Sequence, residues 1–168
     1  RIRRCHPEAA KTDVALCIIR LGLGGQRLPP FIHTSVLNTV CNAWNTTRRY
    51  RQHVGPCVFG CQNLAADSLD HYVRCPAIVE YLRSLLRFLP VTWGTDFLHV
   101  ALPHLWQAST TDALLSHALA IDCIHSAFCV LRLRRPSSPL ARAAILGRLR
   151  ASARRSRQVR ALAVGPQQ

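Results

Sequence analysis

The chain has no methionine, a single lysine at Lys11, and only 8 acidic residues against 22 basic ones among its 168. Because methionine is absent even from position 1, a fragment or processed piece of a longer chain is expected. The acids are Glu8, Asp13, Asp67, Asp70, Glu80, Asp96, Asp112 and Asp122, and no two aspartates are adjacent. That scatter speaks against a polymerase holding its metal ions on paired aspartates, and against a two-metal nuclease, which needs clustered carboxylates. A nucleophilic thiol would need a histidine beside it, and the adjacency of Cys5 and His6 in sequence does not bring their side chains together. No catalysis by this segment is expected. Strand signals are sparse and no internal repeat is visible, so the chain should be mainly α.

The chain opens RIRRCHPEAAK, which is not a secretory signal, and it is longer than the usual disulfide scaffold of a secreted protein. Its 8 cysteines therefore suit a reducing, intracellular setting and metal binding better than a disulfide framework. Residues Ala113 to Leu133 are long and apolar enough to be tested as a membrane span. Asp122 at the centre, with His117 and His125 on either side, favours a buried core helix over a membrane partner.

Arginine is present in abundance. The formal net charge is +14, and every basic residue except Lys11 is arginine. The planar guanidinium fork suits phosphate, so the expected partner is a polyanion, nucleic acid (RNA or DNA) before membrane lipid.

Chemistry concentrates between Cys57 and Cys75, CVFGCQNLAADSLDHYVRC, with the pattern C-x3-C-x9-H-x3-C. Structural zinc is held tetrahedrally by thiolates and imidazoles paired at such spacings. Gly60 permits a tight turn before Cys61. Asp67 or Ser68 is a suitable N-cap for a short helix, which would place His71 and Cys75 one turn apart on one face. Pro76 ends or redirects that helix. His53, four residues before Cys57, is the rival fourth ligand, and the shared helix face favours His71. Four protein ligands leave no position for water, so the Zn2+ would be structural.

The segment NAWNTTRRYR from Asn42 to Arg51, followed by Cys57, Cys61, Asp67, Ser68, Leu69, His71, Cys75 and Pro76, resembles the C-terminal zinc-binding region of non-LTR (LINE-type) retrotransposon reverse transcriptases. The resemblance spans about Thr34 to Leu89. It implies that Cys57, Cys61, His71 and Cys75 bind zinc, and that the region helps a larger RNA-directed DNA polymerase hold template RNA or target DNA, in the nucleus. Arg48, Arg49, Arg51 and Arg74 would then contact phosphates, with Tyr50 or Tyr72 stacking on unpaired bases.

Along the chain, a helix is predicted over Glu8 to Leu21, stopped by Gly22, Gly24 and Gly25, with a Gly/Pro linker completing residues 1–33. The Gly-Leu-Gly-Gly run follows a helix and lacks a Lys-Ser/Thr, so it is not read as a phosphate loop. Residues 34–90 form the zinc unit. Its first helix is capped at Thr34 or Ser35, with Val36, Leu37, Val40, Cys41 and Trp44 in one stripe. Its last carries a seam of Ile78, Val79, Leu82, Leu85, Leu86 and Leu89.

Residues 91–135 hold a loop-rich stretch and a long helix capped near Thr110 or Thr111 and ending about Arg134. Cys123, His125 and Cys129 on that helix are read as core residues, since only His125 and Cys129 share a face. Residues 136–168 are an Arg-rich tail in which a basic helix from Leu140 to about Leu162 carries a narrow apolar strip, too small to anchor it firmly. The expected fold is thus a small helical domain organised around a Cys-Cys-His-Cys zinc knuckle with a basic C-terminal helix or tail. The alternative function is a structural or protein-interaction module of a polyprotein without direct nucleic-acid binding.

Overall fold

Pro30 opens the first described helix, α1 (Pro30–Val40), at the position where a missing N–H costs nothing. A computed structural model describes residues 29–41, 43–46, 55–61, 67–72, 74–85 and 111–155. The predicted helix Glu8 to Leu21, the glycine run after it, Arg48, Arg49, Tyr50, Arg51, His53, the loop from Val91 to Gln107 and the tail beyond Arg155 lie outside these residues.

The start of α1 differs from the expected cap. Thr34 and Ser35 lie within the helix, the Thr34 hydroxyl donating back to the Pro30 carbonyl (2.9 Å) and Ser35 Oγ lying 3.1 Å from the Phe31 carbonyl. The reason is that Pro30 already supplies the fixed φ of a first helical residue, one turn earlier. Val36 and Val40 are buried as predicted, whereas Leu37 is exposed. The helix ends at Val40, and Trp44 reaches the core from the chain beyond it, its indole N–H donating to Thr39 Oγ1 at 2.9 Å.

Four more helices follow among the described residues. They are α2 (Leu69–Tyr72), α3 (Pro76–Arg83), α4 (Thr111–Arg134) and α5 (Pro139–Arg155), and no β-strand occurs among the described residues. The domain is small and mainly helical. Pro76 stands in the first turn of α3, with Cys75 as its N-cap residue. Ile78, Leu82 and Leu85 are buried as the seam predicts, joined by Tyr81. Leu82 is wholly enclosed by the domain itself.

Helix α4 is the long helix expected, and α1, α3 and α5 all pack against it. No helix among the described residues is long and apolar enough to cross a membrane. The α1 contact includes Ser35 Oγ, which donates to Asp122 Oδ1 at 2.6 Å and lies 3.2 Å from His125 Nδ1. Burial pushes the Asp122 carboxyl up and the His125 imidazole down, while each partner's charge works in the opposite sense. Cys123 is buried and its thiol is pushed up to about 12 by burial, in keeping with a core residue, whereas Cys129, also expected in the core, is exposed.

Pro136 to Ser138 break the chain between α4 and α5, and Ser138 caps α5 through the Ala141 N–H (3.1 Å). Here the structure corrects the sequence reading. The narrow strip is enough to seat α5, because Ile145 is buried in the core and Leu146, Leu149 and Ala153 pack against its rim. Arg150 adds a hydrogen bond to Ser84 Oγ at the end of α3 (3.2 Å). One core thus draws on Trp44, Phe59, Tyr72, Ile78, Leu82, Ile124, Phe128 and Ile145, which lie far apart in the chain.

Candidate metal centre

Two arms bring four ligands together. The first is a turn from Cys57 to Gly60, closed by the Gly60 N–H donating to the Cys57 carbonyl at 2.9 Å. Gly60 has φ of 73°, a left-handed conformation that glycine adopts without strain. The second arm is α2. Ser68 is its cap, accepting the His71 N–H on its hydroxyl (3.2 Å) and the Tyr72 N–H on its carbonyl (3.1 Å).

The expected geometry of the second arm needs one correction. Helix α2 stops at Tyr72, so His71 and Cys75 do not share a helix face. A tight turn, in which the Arg74 N–H bonds to the His71 carbonyl and the Cys75 N–H to the Tyr72 carbonyl, swings Cys75 round to the site. Pro76 enforces this, since it disfavours helical backbone at Cys75, whose ψ is 119°.

Cys57 Sγ, Cys61 Sγ, a His71 ring nitrogen and Cys75 Sγ all lie within 4.8 Å of one another. Cys57 and Cys75 are buried, while Cys61 and His71 are half-buried. The two buried sulfurs are 3.7 Å apart, and Cys61 Sγ is 3.2 Å from His71 Nε2. A tetrahedron with bonds of about 2.3 Å to sulfur has S···S edges of about 3.8 Å, so the buried pair already stands at the spacing zinc requires. The two buried thiols share a hydrogen bond, which lowers the pKa of the Cys57 thiol and raises that of Cys75. Three thiols and one imidazole converging in this way constitute a zinc-binding site. All four donors come from the protein.

Around the ligands lies a second set of contacts that spacing alone did not reveal. Asp67, only 1 % exposed, accepts from the Tyr72 hydroxyl and from Arg132 Nη1 of α4. Its backbone N–H donates to the Gly55 carbonyl at 3.1 Å, tying the second arm to the first. Asp67 is therefore not the helix cap but a bridge between knuckle and scaffold. Tyr72 is fully buried against Trp44, Phe59 and Phe128, with burial raising its hydroxyl pKa and Asp67 adding to the effect. This placement removes Tyr72 as a stacking partner for bases. From α5, the Arg142 guanidinium lies over the knuckle turn, where a Cβ on Gly60 would stand 2.7 Å from Arg142 Cζ.

Of the residues expected to contact phosphate, Arg74 is exposed in the turn between His71 and Cys75. No family model matches the chain, and no match was found among curated proteins or solved structures. The architecture is that of a zinc-knuckle domain in general.

Proposed function

We propose that this domain is a non-catalytic, zinc-stabilised nucleic-acid-binding module. It would hold template RNA or target DNA for a retrotransposon RNA-directed DNA polymerase of the LINE type, and act in the nucleus. What supports the reading is a zinc centre in a strongly basic chain with exposed arginines. Arg74 is exposed between two metal ligands, and Arg134, Arg135 and Arg148 are exposed on α4, its following turn and α5, in a chain of net charge +14. Arg48, Arg49, Tyr50 and Arg51, just before the knuckle in sequence, are the further candidates for nucleic-acid contact.

Zinc would be held by Cys57, Cys61, His71 and Cys75, and would supply folding energy rather than chemistry. The chain's own residues bind and orient the nucleic acid. A labelled single-stranded RNA and a DNA duplex, titrated with zinc-loaded protein across a salt series, test the proposal. With six to ten phosphate contacts, affinity is expected to fall by about 10³ to 10⁵ between roughly 50 and 200 mM salt. Salt-insensitive binding, or none, would sink the reading. A protein-interaction module is the second reading, favoured by the exposed leucines Leu133 and Leu140. It predicts a stable complex with another region of the parent chain whose affinity is unchanged by high salt.

A further inference from the structure

The turn between α4 and α5 reads Arg134-Arg135-Pro136-Ser137-Ser138-Pro139. It protrudes: Leu133 and Leu140, on either side, are 84 % and 83 % exposed, and Arg134, Arg135 and Ser137 are exposed too. We propose that Ser137 is a phosphoacceptor site for an arginine-directed serine kinase.

The two serines of the turn differ in what their hydroxyls already do. Ser138 is committed as the cap of α5, accepting the Ala141 N–H on its side chain and the Arg142 N–H on its carbonyl. Ser137 lies outside both helices with its side chain in solvent. Ser126 and Ser152 are also exposed, but each sits within a helix, whose hydrogen-bonded backbone cannot enter an extended substrate groove. Arg134 and Arg135 stand three and two residues before Ser137, and among the described residues no carboxylate pairs with either. Their guanidinium forks are free to meet carboxylates lining such a groove. Arg134 is the last residue of α4 and Arg135 has φ of 43°, so the helix has already ended where the segment leads up to Ser137.

In the transfer, Ser137 Oγ attacks the γ-phosphorus of ATP. A new O–P bond forms, the β–γ bridge breaks with its electron pair leaving on ADP, and the hydroxyl proton passes to the kinase's base. The product adds a charge of about −1.5 to −2 beside Arg134, Arg135 and the α5 N-terminus, taking the net charge from +14 to about +12. Both arginines then pair with the phosphate and are withdrawn from polyanion binding. This consequence rests on the nucleic-acid reading, and the phosphoacceptor assignment does not.

The test uses the zinc-loaded full chain, the catalytic domain of an arginine-directed kinase and ATP, with sites located by fragmentation mass spectrometry. One phosphate at Ser137 is expected, absent in Ser137→Ala and incorporated several-fold more slowly in Arg134→Gln/Arg135→Gln. No incorporation, incorporation at Ser138 or Ser156 instead, or an unchanged rate in the double variant would overturn the assignment. The phosphorylated chain should leave a heparin column at lower salt than the unmodified chain, and equal elution would overturn the effect on polyanion binding. Failure of the unmodified chain to bind RNA would sink the functional reading alone, since neither the mass measurement nor the column involves RNA.

Discussion

Arg132 donates to Asp67 at 2.7 Å across 65 positions of sequence, joining the last turns of α4 to the residue that precedes the cap of the ligand helix. The carboxylate is buried and also takes the Tyr72 hydroxyl, so the zinc knuckle is fastened to the helical scaffold through one charged bridge. Removing one partner of a buried pair leaves a charge without compensation. Arg132→Met should cost about 3 kcal/mol or more in denaturant unfolding of the zinc-loaded protein. The double variant Arg132→Met/Asp67→Asn should cost less than the two single losses added, because the stranded charge is gone. Additive losses would mean the bridge contributes nothing of its own.

Metal should decide whether the knuckle folds. Mass spectrometry of the native chain is expected to show one zinc, lost in Cys61→Ser and in His71→Ala together with helical circular dichroism. Structural zinc sites contribute about 10 to 16 kcal/mol in apparent terms, comparable to the whole stability of a domain. A chelator should therefore unfold the region around α2 and α3. Retention of full helicity without metal would remove zinc as the organiser of this fold.

Gly60→Ala combines two penalties that can be separated. The left-handed φ costs a non-glycine residue about 1 to 2 kcal/mol, and the new methyl meets the Arg142 guanidinium. Adding Arg142→Ala should restore the steric part and leave the backbone part. If the second change recovers nothing, Arg142 does not lie on the turn in solution.

His125 predicts a pH dependence of stability. Burial lowers its pKa below the ordinary 6.5, so its contribution is complete above that value and is lost as pH falls through 6.5 toward the lower folded value. Asp122 runs the other way. Burial raises its pKa above 3.8, so its contribution is complete below 3.8 and is lost as pH rises through the folded value. Between pH 7.5 and about 5.5, urea midpoints should drop less for His125→Gln than for the native chain. Thiol ligands also release metal as pH falls, which is common to both proteins and cancels in the difference. Parallel midpoints would exclude His125 as a source of the dependence.

Much of the centre was legible in the sequence because zinc ligands obey local spacing. Cys57, Cys61, His71 and Cys75 lie close along the chain, and Gly60 and Pro76 mark the turns that aim them. Long-range periodicity likewise located α4 and the buried positions of α3. Spacing did not show that Cys75 leaves the helix of His71, since helix and turn both bring a residue four positions on to the same side. It also missed the role of Asp67, a carboxylate before a helix, which reads as a cap until a distant arginine is found beside it.

By itself the sequence determined the chemistry of this protein: which atoms can hold zinc, that the chain is helical, and that its charge is positive. Those properties depend on residue type and on neighbours a few positions away. Only the tertiary structure decided where that chemistry is anchored. It turned Tyr72 inward, set Arg132 against Asp67 and laid Arg142 over Gly60. It also seated α5 through Ile145, although its apolar strip is narrow. The physical reason is that a buried charge or a thin apolar stripe has its value set by what packs against it. Here the packing partners are supplied by helices far away in the chain.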